Sequence, residues 1–289
     1  MISKQSRFYD LLRLFKKNKM AVMGFVIIAV MIAVAIFAPL IATQLPYEQN
    51  LANRFQSPSS QHFFGTDNFG RDIFSNVVYG ARISLFIGFL ATILSVIFGT
   101  VIGAVAGFFG GGVDNVLMRL VDIILSIPSL ILAIAISTVL GTGIRNLILA
   151  VSLSGITNYA RIVRASVLSV KEQEYVEAAK IGGASNFRLI FRHILPNCLG
   201  PIIVQATLGV GTSILQAASL SFIGLGVQPP TPEWGGMLSQ GRSYIQDYPH
   251  MTIFPGLAIA LTIFSLNLFG DGLRDALDAT QRGEYVETH

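Results

Sequence analysis

Charge is scarce in this sequence and cysteine is nearly absent. Asp, Glu, Lys and Arg together make up 12% of the 289 residues, about half of the roughly 25% found in soluble domains. Hydrophobic residues reach 52% and mean hydropathy is +0.63, which excludes an ordinary water-facing domain and points to a bundle in lipid. The single cysteine, Cys198, excludes an internal disulfide and a cysteine metal cage. The four histidines (His62, His193, His250 and His289) lie far apart without helical ligand spacing, so no metal site is expected. No serine or cysteine has a neighbouring His and acid, so no catalytic residue is expected either. A net charge of +4 would suit a nucleic-acid binder, but the basic residues flank apolar runs instead of forming one patch. They mark orientation in a bilayer, and nucleic acid is not an expected partner.

What is present is a series of intervals without a charged side chain: 20–47, 83–113, 123–144, 193–232 and 248–270. Each can hold the roughly 20 residues that cross a hydrocarbon core. A sixth interval, between Arg145 and Arg161, spans only if Arg161 or Arg164 snorkels toward the headgroups. The predicted spans are 20–42, 83–108, 119–140, 145–164, 199–223 and 252–272, giving an all-α membrane protein with six transmembrane helices. The first apolar stretch exceeds the 7–15 residues of a signal peptide core, so it is expected to remain as a helix. Ahead of it, Phe8, Leu11, Leu12 and Phe15 suit a short helix on the membrane surface, or else a frayed tail.

With the N-terminus in the cytoplasm, fifteen of the twenty Lys and Arg residues fall on the inside. The positive-inside rule therefore predicts both termini in the cytoplasm. The segments become a cytoplasmic stretch at 1–19, the first helix at 20–42, an external loop at 43–82, a core of five helices at 83–273, and a cytoplasmic tail at 274–289. Within the core, 171–197 is a cytoplasmic loop and 224–251 an external one holding the only tryptophan, Trp234.

The cytoplasmic loop is more than a connector. Good helix formers around Glu172 to Ile181 are followed by Gly182-Gly183 and a second helical run from Ser185, which Pro196 is expected to end. Two short helices at a glycine hinge make a docking surface. In the second span, Gly99, Gly103 and Gly107 share one face, a ridge that lets helix backbones approach closely; Gly110 to Gly112 then make an inside turn. The run Gly65 to Gly70 resembles a phosphate loop superficially, but Arg71 and Asp72 stand where Lys and Ser or Thr are required. Asp122 and Asp271 lie near span ends, three residues from Arg119 and Arg274, which favours local ion pairs over a proton relay. That argues against an ion-coupled secondary carrier.

Glu177-Ala178-Ala179, with Gly183 and then Leu195-Pro196, resembles the EAA loop of membrane subunits of bacterial ABC importers; His193 stands where the pattern has Ile. His62, Gly65-Thr66-Asp67, Gly70-Arg71-Asp72 and Gly80-Ala81-Arg82, together with Ser219 to Gly226 and Trp234-Gly235-Gly236, resemble the dipeptide, oligopeptide and nickel branch, in its C-type permease. The resemblance implies a type I ABC importer transmembrane domain in the bacterial cytoplasmic (inner) membrane. It implies a second, non-identical permease subunit, two cytoplasmic ATPase subunits and an external substrate-binding protein as partners. ATP and magnesium would sit in the ATPases, with no cofactor and no ATPase site in this chain. By position, Glu177, Ala178, Ala179, Gly183, Leu195 and Pro196 would form the ATPase contact. Peptides are the expected substrate, with nickel or another small solute as the alternative. Ser129, Asn158, Gln205, Gln216 and Asn267 are candidates to line the pathway, as are Ser137 and Ser213; helix–helix hydrogen bonding is the competing role.

Overall fold

The computed structural model describes residues 13–282. All regular elements among them are helical, with one isolated antiparallel bridge between Thr66 and Asp72. Residues 13–17 are helical, and Phe15 meets the Phe269 ring edge-on at 5.6 Å. Phe8, Leu11 and Leu12 lie outside the described residues.

The first span is α1 (Lys19–Ile36), capped by the Asn18 side chain, which accepts from the Met20 and Ala21 amides. It stops at Phe37 because Pro39, at the start of the short α2 (Ala38–Ile41), has no N–H to continue the ladder. The expected single span of 20–42 is therefore two pieces. A loop follows, and α3 (Ile73–Phe109) then runs without a break, starting ten residues before the expected 83. Arg82 did not mark its boundary because Asp72 caps the helix upstream, accepting from the Ser75 amide at 2.8 Å.

Gly110, at φ 65°, turns the chain into α4 (Gly111–Leu125), and α5 (Ser129–Leu140) follows after Ser126, Ile127 and Pro128. The expected straight span of 119–140 is thus an elbow of 87°. Its cause is Pro128, which disfavours helical backbone at Ile127 and cannot donate to the preceding turn. Next comes α6 (Ile144–Lys171), then α7 (Glu174–Ile181), α8 (Asn186–Arg188) and a π-turn at Leu189–Ile194 that leads into α9 (Leu195–Phe222). Pro196 does not end the run from Ser185. It sits in the first turn of α9, where its missing N–H costs least. After α10 (Trp234–Gly241), α11 (His250–Arg282) closes the bundle and continues well past the expected end at 272.

Among the described residues, four helical stretches are long and apolar enough to cross a membrane, and the bent α4–α5 pair supplies a fifth. The remaining expected span, α6, is too polar to qualify by composition, but its 28 residues cover about 42 Å at 1.5 Å per residue. Its apolar face is spent on neighbours: Leu147, Val151, Ala160, Val163 and Val167 are all buried.

The α3–α6 seam is the most extensive in the bundle, and the glycine ridge makes it. A Cβ on Gly99 would lie 2.5 Å from the Tyr159 Cβ, one on Gly103 2.4 Å from the Ala160 carbonyl oxygen, and one on Gly107 3.0 Å from the Arg164 carbonyl oxygen. Helix directions then fix the two ends. Thr43, just beyond α2, bonds the start of α3 at Asp72 and Ser75, so the beginning of α1 points toward the opposite end, where α3 turns into α4. Lys171 at the end of α6 also reaches that corner, donating to the Phe108 carbonyl at 2.6 Å. Asn18 contacts Asp275 near the end of α11. Both described chain ends and the 172–194 insertion therefore share one end of the bundle; 43–72 and 223–249 share the other.

Candidate coupling surface and translocation face

At the end bearing the chain termini, α7 and α8 stand on a small apolar anchor. Val176, Leu189, Ile194 and Cys198 are buried with Val163 and Val167 of α6 and Ala104 of α3. That anchor fixes which residues face out. Glu177 and Ala178 are exposed, Ala179 and Leu195 half-buried, and Gly183 and Pro196 exposed. Gly183 adopts φ 81° with nothing within 4 Å of an added Cβ, so it is the conformation and not the space that asks for glycine. Ser185 then caps α8 through the Arg188 amide. A cleft of about 860 Å³ opens beside Glu177, lined also by Phe108, Lys171, Val176, Lys180 and Leu189. Ile181 and Phe187 project 82% and 72% exposed, and Phe187 pairs with Phe191 at 4.4 Å.

At the other end the charged residues turn inward. Asp67 accepts from the Phe69 and Arg71 amides and from Arg71 Nε at 2.6 Å; Arg71 reaches on to Gln240 of α10 at 2.5 Å. Asp72 holds His62 Nδ1 at 3.0 Å while capping α3. Thr66 donates to the Asn53 carbonyl. Gly65 and Gly70 have φ of 78° and 70° and lie against His250 and the Asn50 backbone. This group is a clasp between the loop, α3 and α10. Glu233 completes it: fully buried, it accepts from the Gly235 and Gly236 amides and from Ser84. Burial pushes its carboxyl above the ordinary range, against the lowering effect of those donors. Trp234 beside it donates to the Val77 carbonyl at 2.9 Å. The sequence reading marked Trp234 but missed Glu233; its signal was an acid directly before an aromatic and two glycines, an N-cap pattern.

Along α6, Ser154, Asn158 and Arg161 fall on one face. Gln216 of α9 donates to Ser154 Oγ and to the Ser129 carbonyl, each at 3.0 Å. Asn158 and Ser129 are exposed. Of the other candidates, Gln205 lends its carbonyl to the Tyr159 hydroxyl and Ser213 meets Thr92. Ser137 is buried without a hydrogen-bond partner. Asn267 is exposed on α11 and shares no hydrogen bond with the Ser154 group. Two ion pairs differ from expectation. Asp122 meets Arg161 at 2.5 Å instead of Arg119, and Arg274 reaches Asp278 instead of Asp271. The first follows from the elbow, which leans α4 across α6. The second follows from the i,i+4 spacing that the uninterrupted α11 offers. Asp114 and Arg164, joined by two hydrogen bonds, secure the same crossing.

A membrane-spanning helical bundle with a clasped loop end and an exposed helical insertion at its other end is the architecture of a transport-system membrane subunit. Residues 99–283 match the family described as binding-protein-dependent transport system inner membrane component. Residues 6–58 match the N-terminal TM domain of oligopeptide transport permease C. The chain belongs to this family of inner-membrane transport components. It is 52% identical to the dipeptide transport system permease protein DppC of Alkalihalophilus pseudofirmus, over 91% of this chain and 86% of that one. It is 45% identical to the oligopeptide transport system permease protein OppC of Bacillus subtilis (94% and 90%). Identity is also 45% to the glutathione transport system permease protein GsiD of Escherichia coli O157:H7 (95% and 91%). Among solved structures, an inward-facing form of the MetNI methionine ABC transporter shares the fold at TM-score 0.58 and 18% identity, covering 71% of this chain and 97% of that one. The type I ABC importer fold expected from the sequence is the one observed.

Proposed function

We propose that this chain is one of two non-identical permease subunits of an ATP-driven importer for di- or oligopeptides delivered by an external binding protein. The observation that carries this is the insertion at 174–194: an anchored but outward-facing helix, with Glu177 and Ala178 presented beside an open cleft. Glu177 offers a carboxylate to a basic ATPase residue, Ala178 allows close approach, and Gly183 supplies the turn. ATP and magnesium act in the two ATPase subunits, and this chain converts their closure into movement of its helices. The excess of Lys and Arg at the insertion end supports a cytoplasmic location for that end and for both termini. The names of the relatives support peptides as cargo; glutathione, itself a tripeptide, falls within the same class.

The purified complex is expected to retain ATPase subunits and to take up dipeptides only with the binding protein present. Gly183→Pro is expected to abolish uptake while the chain still inserts and the ATPase subunits still hydrolyse ATP. Unchanged uptake by that variant would end the coupling role of the insertion.

A further inference from the structure

The ion pair between Arg161 and Asp122 stands in an unusual place. Tyr159 lies against Gly209, at the middle of α9 (Leu195–Phe222), and Arg161 is about 3 Å further along α6 at 1.5 Å per residue. The pair therefore sits within the length of α6 that can cross a hydrocarbon core about 30 Å thick, about 15 Å short of the helix end at Lys171. Yet the two side chains are 56% and 57% exposed. Charged groups at that depth are too costly to face lipid, and they face a bundle interior or a water-filled path. The neighbouring pair of Arg164 and Asp114 is better shielded and uses two hydrogen bonds, as a structural clamp should. Arg161 and Asp122 share one, which leaves the guanidinium with other donors and the carboxylate with its second oxygen. Asn158 and Ser154 continue the polar line along α6 at helical spacing, and Gln216 joins it from α9.

We infer that Arg161 and Asp122 are the charged contact for a zwitterionic solute on the translocation path, Arg161 receiving a carboxylate and Asp122 an ammonium group. A peptide with both termini free carries that pair of charges. This specificity role rests on the importer reading above.

The test uses the assembled transporter in proteoliposomes. Asn158→Cys is expected to react with a water-soluble methanethiosulfonate at least tenfold faster than Ile203→Cys on the outer apolar surface, since a thiol reacts as thiolate in water. The wild-type protein, whose Cys198 is fully buried, serves as background. A transported dipeptide with ATP should slow the Asn158→Cys reaction at least threefold. Arg161→Gln should lower the uptake of a free dipeptide relative to its C-terminal amide at least fivefold. Labelling no faster than at Ile203→Cys would overturn the inference, as would equal protection without peptide, which would mean a covered subunit interface. So would full recovery of uptake in the charge-swapped R161D/D122R pair, which would mean a structural bridge. Fast labelling with protection by a different zwitterion would uphold the contact and overturn only the peptide assignment.

Discussion

The two ends of the bundle handle polar and apolar groups in opposite ways. At the 43–72 end, Asp67, Arg71, Asp72 and Glu233 are drawn inside and partnered, and Trp234 is wholly buried. At the 174–194 end, Ile181, Phe187 and Phe191 are left outside around a helix with one buried residue, Val176. Buried, satisfied polar groups fix one arrangement, because any displacement leaves them unpaired. Large exposed apolar side chains on a soluble face mark a surface that another protein covers. If the insertion is the proposed coupling surface, one end is a finished clasp and the other half of an interface, which is what a subunit driven from one side requires.

The comparison breaks most severely at the clasp. Trp234→Ala removes a side chain at zero exposure whose neighbours include Gly80, Ala81 and Leu85; it should cost about 3–5 kcal/mol. Thermal unfolding of the detergent-solubilised complex would show it as a large fall in Tm. A drop no larger than that of a surface variant would mean the clasp is not the stable end.

Two glycine substitutions separate packing from backbone conformation. Gly103→Ala puts a Cβ 2.4 Å from a backbone oxygen of α6, and wedging α3 from α6 should cost about 2 kcal/mol. Gly183→Ala meets no atom but holds an L-residue at φ 81°, worth about 1 kcal/mol. Chemical denaturation should rank them in that order; the reverse order would move the seam's importance away from the ridge.

The clasp also predicts a pH slope. Because burial holds the Glu233 carboxyl above its ordinary range, the folded protein keeps a proton that the unfolded chain releases. Its contribution is complete below the ordinary glutamate pKa and is lost as pH rises through the raised value. Tm should therefore decline as pH climbs above about 4.5, the reference value for this group, and Glu233→Gln should flatten the decline. An identical slope in the variant would assign it to other groups.

How much of this was legible in advance depends on the range of the interaction. Apolar runs are local, so the helices at 83–108, 199–223 and 252–272 fell where charge was missing, and the ridge at Gly99, Gly103 and Gly107 followed from spacing alone. Partnership across the bundle was not legible. Asp122 has Arg119 within three residues, but the elbow at Pro128 brings Arg161 to it from far along the chain. Glu233 was hidden for the same reason, since its burial depends on Ser84, distant in sequence and adjacent in space. Pro196 misled in the other direction. Proline reads as a stop, yet a π-turn just before it carries the helix through, and the Asn197 side chain satisfies the His193 carbonyl at 2.7 Å.

The smallest effect on stability should accompany the largest effect on assembly. Phe187 is 72% exposed and touches its own end of the molecule mainly through Phe191, so Phe187→Ser should change unfolding by less than about 0.5 kcal/mol. If the insertion is half of an interface, the same change removes an aromatic anchor of the kind that carries much of a contact's free energy, on the order of 2 kcal/mol or more. That corresponds to at least a thirtyfold weaker hold on the ATPase subunits. Co-purification from detergent should then fall while the permease itself melts as before. A variant that retains its ATPases and only loses stability would place Phe187 with the clasp residues, and the contrast between the two ends would fail at the point where it is sharpest.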